Sequence, residues 1–219
     1  MKKRILLIIG VVIIPIICSA QTDWANLAKY AKANNEVTIR PEAVFIGDSI
    51  TEGWYDVDSE FFHTNNFLGR GISGQTTTQM LCRFRKDVID LKPKYVVILA
   101  GTNDIARNNG PIELEDIFGN IVSMCELAKL HKIKPVICSV LPCKQYLWRP
   151  EITDAGEQIN RLNAMLKDYA KQNKMIYVDY HTSMKDDENG LPEKLSYDGC
   201  HPTQAGYNVM KDIILSRLQ

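Results

Sequence analysis

Ser49 follows a short apolar run, Ala43-Val44-Phe45-Ile46, across Gly47 and Asp48. A serine at that point stands where a buried strand turns into a helix, with its hydroxyl at the sheet edge and its N–H at the positive helix terminus. Taken alone it is as readily a helix cap as a nucleophile. A serine hydroxyl also needs a base, and the far end of the chain offers Asp198-Gly199-Cys200-His201-Pro202. A carboxylate three residues before an imidazole, on a turn, can fold back to accept the ring's Nδ1–H. That fixes the tautomer, leaves Nε2 free as base and stabilises the imidazolium formed during attack. His63 and His131 lack a neighbouring carboxylate–glycine turn, and His181 is the second candidate. Acyl transfer further needs donors for an oxyanion. Gly74, in Gly71-Ile72-Ser73-Gly74-Gln75, can present a bare N–H. Asn103, in Gly101-Thr102-Asn103-Asp104, can aim its carboxamide at the same point, and the Ser49 N–H makes a third donor.

These residues sit where strand ends are expected. Four-residue to six-residue apolar runs alternate with helical patterns along the chain. Strands are predicted over 43–46, near 66–70, and over 95–100, 135–140 and 175–178. Helices are predicted over 23–34 with Asp23 as cap, 76–91 up to Pro93, 113–131, 153–172 with Thr153 and Glu157 at its start, and 203–218. Strands alternating with crossover helices mean an α/β domain with a mostly parallel sheet. In such sheets ligands bind beyond the carboxyl ends of the strands, which is where Ser49, Gly74 and Asn103 fall.

The four blocks in this order resemble the SGNH (GDSL-type) hydrolases, which carry Ser, Gly, Asn and His in sequence. Gly47-Asp48-Ser49-Ile50 is similar to the first block, Ile72 to Thr76 to the second and Gly101 to Asp104 to the third. Asp198 to Pro202 with Ala205-Gly206-Tyr207 is similar to the last. Ile50 stands where the family's name has Leu, and Thr51 breaks the G-x-S-x-G elbow of the α/β-hydrolases. The resemblance covers about 43–210. It implies a three-layer α/β/α sandwich, flavodoxin-like, with about five parallel strands, and ester hydrolysis without metal or cofactor. It assigns Ser49 as nucleophile, His201 as base and Asp198 as its orienter. The Ser49 and Gly74 N–H groups and the Asn103 side chain would form the oxyanion hole. Asp48 and Asp104 would hold loops by hydrogen bonds.

Composition bounds the partners. Lys plus Arg and Asp plus Glu each number 26, so the chain has no basic excess of the kind nucleic-acid binding requires. Residues 1–20 read as a cleaved export signal: Lys2, Lys3 and Arg4 precede an apolar run over 5–17, and Cys18-Ser19-Ala20 supplies small residues for cleavage. That run is shorter than the roughly 20 residues of a membrane span, and it contains Pro15. Lipoprotein anchoring through Cys18 is the alternative, and Ile17 before it disfavours that. Cleavage leaves one domain over 21–219, exported to a periplasmic or extracellular space. Its five cysteines, Cys82, Cys125, Cys138, Cys143 and Cys200, are read as unpaired small hydrophobes, with Cys138–Cys143 the pairing considered. Trp54, Tyr55, Tyr146, Trp148 and Arg149 are expected in loops bordering the pocket, where aromatics beside an Arg suit a sugar or a carboxylated sugar. No long apolar lid is evident. The expected substrate is therefore a short acyl ester, acetyl above all, of a carbohydrate. Lysophospholipase or thioesterase action and an inactive glycan-binding module are the alternatives.

Overall fold

The computed structural model describes residues 23–218, so the expected export signal and Cys18 lie outside the described residues. Five strands form one sheet: β1 (Ala43–Gly47), β2 (Phe67–Gly71), β3 (Tyr95–Leu99), β4 (Lys134–Cys138) and β5 (Ile176–Val178). Every pairing is parallel and the order is β2-β1-β3-β4-β5. The central strands β1 and β3 read as continuous apolar runs because helices cover both faces. Alternation still decides which face each side chain serves. Val44, Ile46, Val96 and Ile98 enter one core, and Phe45, Val97 and Leu99 enter the other.

The first core is closed by α4 (Thr77–Phe84), α6 (Leu114–Leu130) and α7 (Ala155–Gln172), through residues such as Phe84, Ile121 and Leu162. The second is closed by α2 (Ser49–Val57), α3 (Ser59–Thr64), α8 (Tyr180–Met184) and α9 (Gln204–Leu215). Short helices α1 (Ala31–Asn35) and α5 (Thr102–Ile105) complete the set.

Differences from the sequence expectation are local. The helix expected over 23–34 is a series of turns that becomes helical only at Ala31, because Asn26 takes a positive φ of 54°. Asp23 nevertheless caps those turns, accepting from the N–H groups of Leu27 and Ala28. The helix over 76–91 is α-helical only to Phe84 and continues as a π-helical turn, Arg85–Ile89. Asp154, rather than Thr153, stands at the N-cap of α7. The five cysteines are free thiols, and all but Cys82 are buried.

The strand ends are level. Gly47 pairs in register with Gly71 on one side and with Leu99 on the other. The loops after β1, β2 and β3 therefore open side by side, and the chain order reverses between β1 and β3. That crevice is the expected ligand position in an open parallel sheet.

Candidate active site

Ser49 is the first residue of α2, and the preceding Asp48 caps that helix by accepting the Ile50 N–H at 3.0 Å. The first turn of α2 folds back so tightly that a Cβ on Gly47 would lie 2.1 Å from the Thr51 Oγ1. Glycine is needed there for close approach. Burial pushes the Asp48 carboxyl up to about 6, against the lowering effect of the Ile50 N–H and of His201. Asp104 is also pushed up to about 6 by burial, while the Thr77 hydroxyl and N–H, at 2.6 and 2.9 Å, pull it down. Both aspartates thus tie helix starts to strand ends.

His201 comes from the loop before α9. Its Nε2 lies 2.9 Å from the Ser49 Oγ, and its Nδ1 lies 2.7 Å from Asp198 Oδ2. The other carboxylate oxygen, Oδ1, accepts the backbone N–H of His201 at 2.7 Å and of Cys200 at 2.9 Å. Burial works to raise the Asp198 carboxyl, but these N–H groups and the imidazole override it and hold the group below its ordinary value. The carboxylate therefore stays ionised and keeps the ring's Nδ1 as donor. A hydroxyl on Nε2 of such a ring is an activated nucleophile.

The donors converge on the same place. Gly74 has φ +77°, a Cβ there would meet nothing within 4 Å, and the residue lines the cleft. Among the described residues neither that N–H nor the Ser49 N–H donates to a protein acceptor. Asn103, in α5 and only 3% exposed, gives one Nδ2–H to the Gln75 carbonyl at 3.1 Å. The second Nδ2–H remains for a ligand. Ser49, Gly74, Asn103 and His201 share one cleft of about 600 Å³.

The expected substrate-side residues are sorted differently. Trp148 does border the cleft, with its ring centroid 5.9 Å from that of His201. Trp54 does not: it is 1% exposed inside the second core, stacked between Phe61 and Tyr207. Tyr146 is fully buried, its hydroxyl 3.0 Å from that of Thr102 and its ring supporting Trp148. Both are corrections: in these places an apolar ring gains more from burial than from exposure at the cleft. Arg149 lies against the Arg107 carbonyl and Glu151, outside the cleft, and Tyr55 pairs with His63. His181, the second candidate base, is buried in α8, and its Nε2 has no partner among the described residues.

Sequence reasoning missed four neighbours. Tyr197, 72% exposed, stacks on the other side of the His201 ring at 5.9 Å. Glu52 and Ser73 line the cleft, the carboxylate receiving both the N–H and the hydroxyl of Ser73 at 2.6 Å. Asn108 bridges Asn103, Gly74 and Trp148. Adjacency to Asp198 and to the Asn103 loop was the only available signal for Tyr197 and Asn108. Among the described residues no cluster of His, Cys, Asp and Glu is arranged to hold a metal ion.

The model of the GDSL-like lipase/acylhydrolase family matches residues 45–209, three quarters of the chain, and takes in every residue of this cleft. The chain belongs to that family. It is a carboxylic ester hydrolase of the SGNH type, folded as an α/β sandwich. A solved GDSL-like lipase from Bacteroides thetaiotaomicron is 46% identical, with a TM-score of 0.86 over 89% of this chain and 97% of that one. A Bacteroides fragilis protein designated an acylhydrolase is 47% identical, with a TM-score of 0.88 over 90% and 98%. The acetylxylan esterase of Geobacillus stearothermophilus is 23% identical across 69% of this chain and 71% of its own. Similarity to the Bacillus subtilis lipoprotein YqeF, 38% identical, spans only 35% of this chain and a third, 33%, of that one.

Proposed function

We propose that this acylhydrolase is an exported serine esterase that removes short acyl groups, acetyl foremost, from a neutral carbohydrate. Ser49 attacks the ester carbonyl carbon while His201 Nε2 takes the hydroxyl proton. The N–H groups of Ser49 and Gly74 and the free Nδ2–H of Asn103 receive the oxyanion. Collapse breaks the bond to the sugar oxygen, which leaves with the proton from His201. Water, deprotonated by the same imidazole, then releases the acyl group and restores Ser49. Asp198 holds the ring and stabilises its charged form throughout.

One observation carries the substrate class. Among the described residues the cleft has no Leu, Ile, Val, Met or Phe and no Lys or Arg in its lining. Its walls are Trp148, Tyr197 and Tyr207 with the carboxylates Glu52 and Asp56. A long acyl chain finds no aliphatic trough there, and an anionic sugar finds no counter-charge. Exposed aromatic faces suit a sugar ring. The similarity to an acetylxylan esterase supports the same reading. The apolar run before Cys18-Ser19-Ala20, with the likeness to a lipoprotein over part of the chain, supports export.

Hydrolysis of p-nitrophenyl esters from acetyl to dodecanoyl, by the protein and by Ser49→Ala, tests the proposal. Turnover should fall with acyl length and vanish in Ser49→Ala while the thermal midpoint changes little. Preference for dodecanoyl would replace the carbohydrate reading with a lipid one. Persisting turnover in Ser49→Ala would remove Ser49 as nucleophile.

A further inference from the structure

Asn103 can serve an oxyanion only with its nitrogen, not its oxygen, turned to the cleft. A carboxamide is nearly symmetric in shape, so something must choose between the two orientations. On one side, Nδ2 donates to the Gln75 carbonyl at 3.1 Å. On the other, Oδ1 accepts from Asn108 Nδ2 at 2.8 Å. Asn108 is itself a carboxamide, and flipping both amides together would preserve the contact between them. The Gln75 carbonyl, which can only accept, opposes that flip at one end, and an anchor beyond Asn108 opposes it at the other.

Trp148 is that anchor. Its indole Nε1–H, which can only donate, lies 3.3 Å from Asn108 Oδ1. The Gly74 carbonyl, which can only accept, lies 3.4 Å from Asn108 Nδ2. Both groups hold Asn108 with its oxygen towards Trp148 and its nitrogen towards Asn103 and Gly74. The polarity then runs one way, from the Trp148 N–H through Asn108 and Asn103 to the Gln75 carbonyl.

We infer that Asn108 is a positioning residue for ester hydrolysis, setting the Asn103 amide in its donating orientation and tethering the Gly74 loop, with Trp148 fixing the direction of the relay. This rests on the oxyanion role proposed for Asn103. Half-buried Asn108 touches no reacting atom in this arrangement, since its amide is directed at Asn103, Gly74 and Trp148.

The discriminating substitutions are Asn108→Asp and Asn108→Ala. Aspartate keeps the shape and still accepts from Trp148, but it sets acceptors against Asn103 Oδ1 and the Gly74 carbonyl. Asn103 can then donate to Asp only by turning its nitrogen to it, which faces its oxygen to the oxyanion and gives up the bond to the Gln75 carbonyl. Alanine merely removes the partner. With p-nitrophenyl acetate, Asn108→Asp should lower kcat on the order of 10²-fold, as loss of one oxyanion donor does, with KM little changed. Asn108→Ala should lose less. In the Asn103→Ala background Asn108→Asp should lose most of its effect on kcat, keeping only what the Gly74 contact contributes. A packing role predicts the reverse ranking, alanine worse than the isosteric aspartate, and that result would overturn the inference. So would an Asn108→Asp effect that multiplies fully with Asn103→Ala. If Asn108→Asp fails to fold, Trp148→Phe removes the indole N–H and should cost more in kcat with Asn103 present than in the Asn103→Ala background; an equal cost in both would overturn the inference. Unchanged kcat in Asn103→Ala, with turnover still dependent on Ser49, would instead sink the oxyanion reading and this inference with it.

Discussion

Asp104 illustrates what a buried carboxylate beside the reacting groups costs the fold. It is 1% exposed, and its pKa of about 6 stands above the ordinary 3.8. Between about pH 4 and 6 the native state holds a proton that the unfolded chain has released, so this group makes stability fall as pH rises through that window. Asp48 acts in the same direction. His181, whose pKa burial lowers from 6.5, acts in the opposite one just below neutrality. The contribution of Asp104 is therefore isolated only by difference. Unfolding free energies of the protein and of Asp104→Asn, measured by urea from pH 4 to 7, should diverge, with the parent losing ground to the variant as pH rises. A constant difference would mean that Asp104 is ionised throughout. These aspartates flank the residues of the cleft in sequence, and their short, rigid hydrogen bonds to helix starts explain why a charge is tolerated there.

At the scale of elements, the loop that carries Ser49 rests on a buried arginine that no periodicity announces. Arg83, on α4, is 0% exposed and donates from all three guanidinium nitrogens. It donates to the Gln75 side chain at 2.6 Å, to the Arg70 carbonyl at 2.8 Å, to the Gly47 carbonyl at 2.9 Å and to Asp87 at 3.0 Å. The ends of β1 and β2 and the loop that carries Gly74 are thus joined at one group. Asp87 lies in the π-helical turn, where the Asp90 N–H reaches back to the Arg85 carbonyl at 2.9 Å. Arg83→Leu should destabilise the protein by about 3–5 kcal/mol, because it removes the charge partner of buried Asp87 and a donor from the Gln75 side chain and the Arg70 and Gly47 carbonyls. Arg83→Leu with Asp87→Leu should recover only part of that, since a buried acceptor left without its donor still costs roughly 1–3 kcal/mol. Urea titrations of the three proteins measure both quantities. A loss below about 1 kcal/mol for Arg83→Leu would show that water replaces the network.

Across the whole molecule the balanced net charge conceals an uneven distribution. Glu52 and Asp56 line the cleft, with Asp198 behind His201, and among the described residues Lys29 alone pairs with Glu52. A second concavity, at the amino ends of β4 and β5, is bordered by Lys129, Lys132, Lys134 and Lys174. Carboxylates around the cleft should slow the capture of anionic esters at low salt. A carboxylated acetyl ester is therefore expected to show a lower kcat/KM than its neutral counterpart. The gap should narrow as ionic strength rises from about 0.01 to 0.15 M and the Debye length shortens from about 30 to 8 Å. A salt-independent ratio would assign the discrimination to contacts within the cleft. The same global view explains the site's assembly: Ser49 and His201 are 152 residues apart and meet only when α9 packs beneath α2 through Tyr207, whose hydroxyl donates to the Ile50 carbonyl at 3.0 Å.

The order of residues alone pointed to the strands and the parallel sandwich, and the four-block resemblance singled out Ser49, Gly74, Asn103, Asp198 and His201, which the fold brings together. The sequence could do so because continuous apolar runs mark buried strands, strand ends mark ligand positions, and a carboxylate three residues from a histidine makes a local turn. It did not determine the walls of the cleft. Trp54 and Trp148 are alike in type and both lie beside other aromatic residues, yet one is core and the other borders the cleft. That choice depends on which face of α2 meets the sheet and on how the loop after β4 crosses the site. Nor did it determine the Arg83 network, the π-helical turn or the relay from Trp148 through Asn108 to Asn103. The network and the relay join groups from separate elements, and hydrogen bonds of that kind are chosen by three-dimensional proximity, which a linear pattern of residue types does not encode.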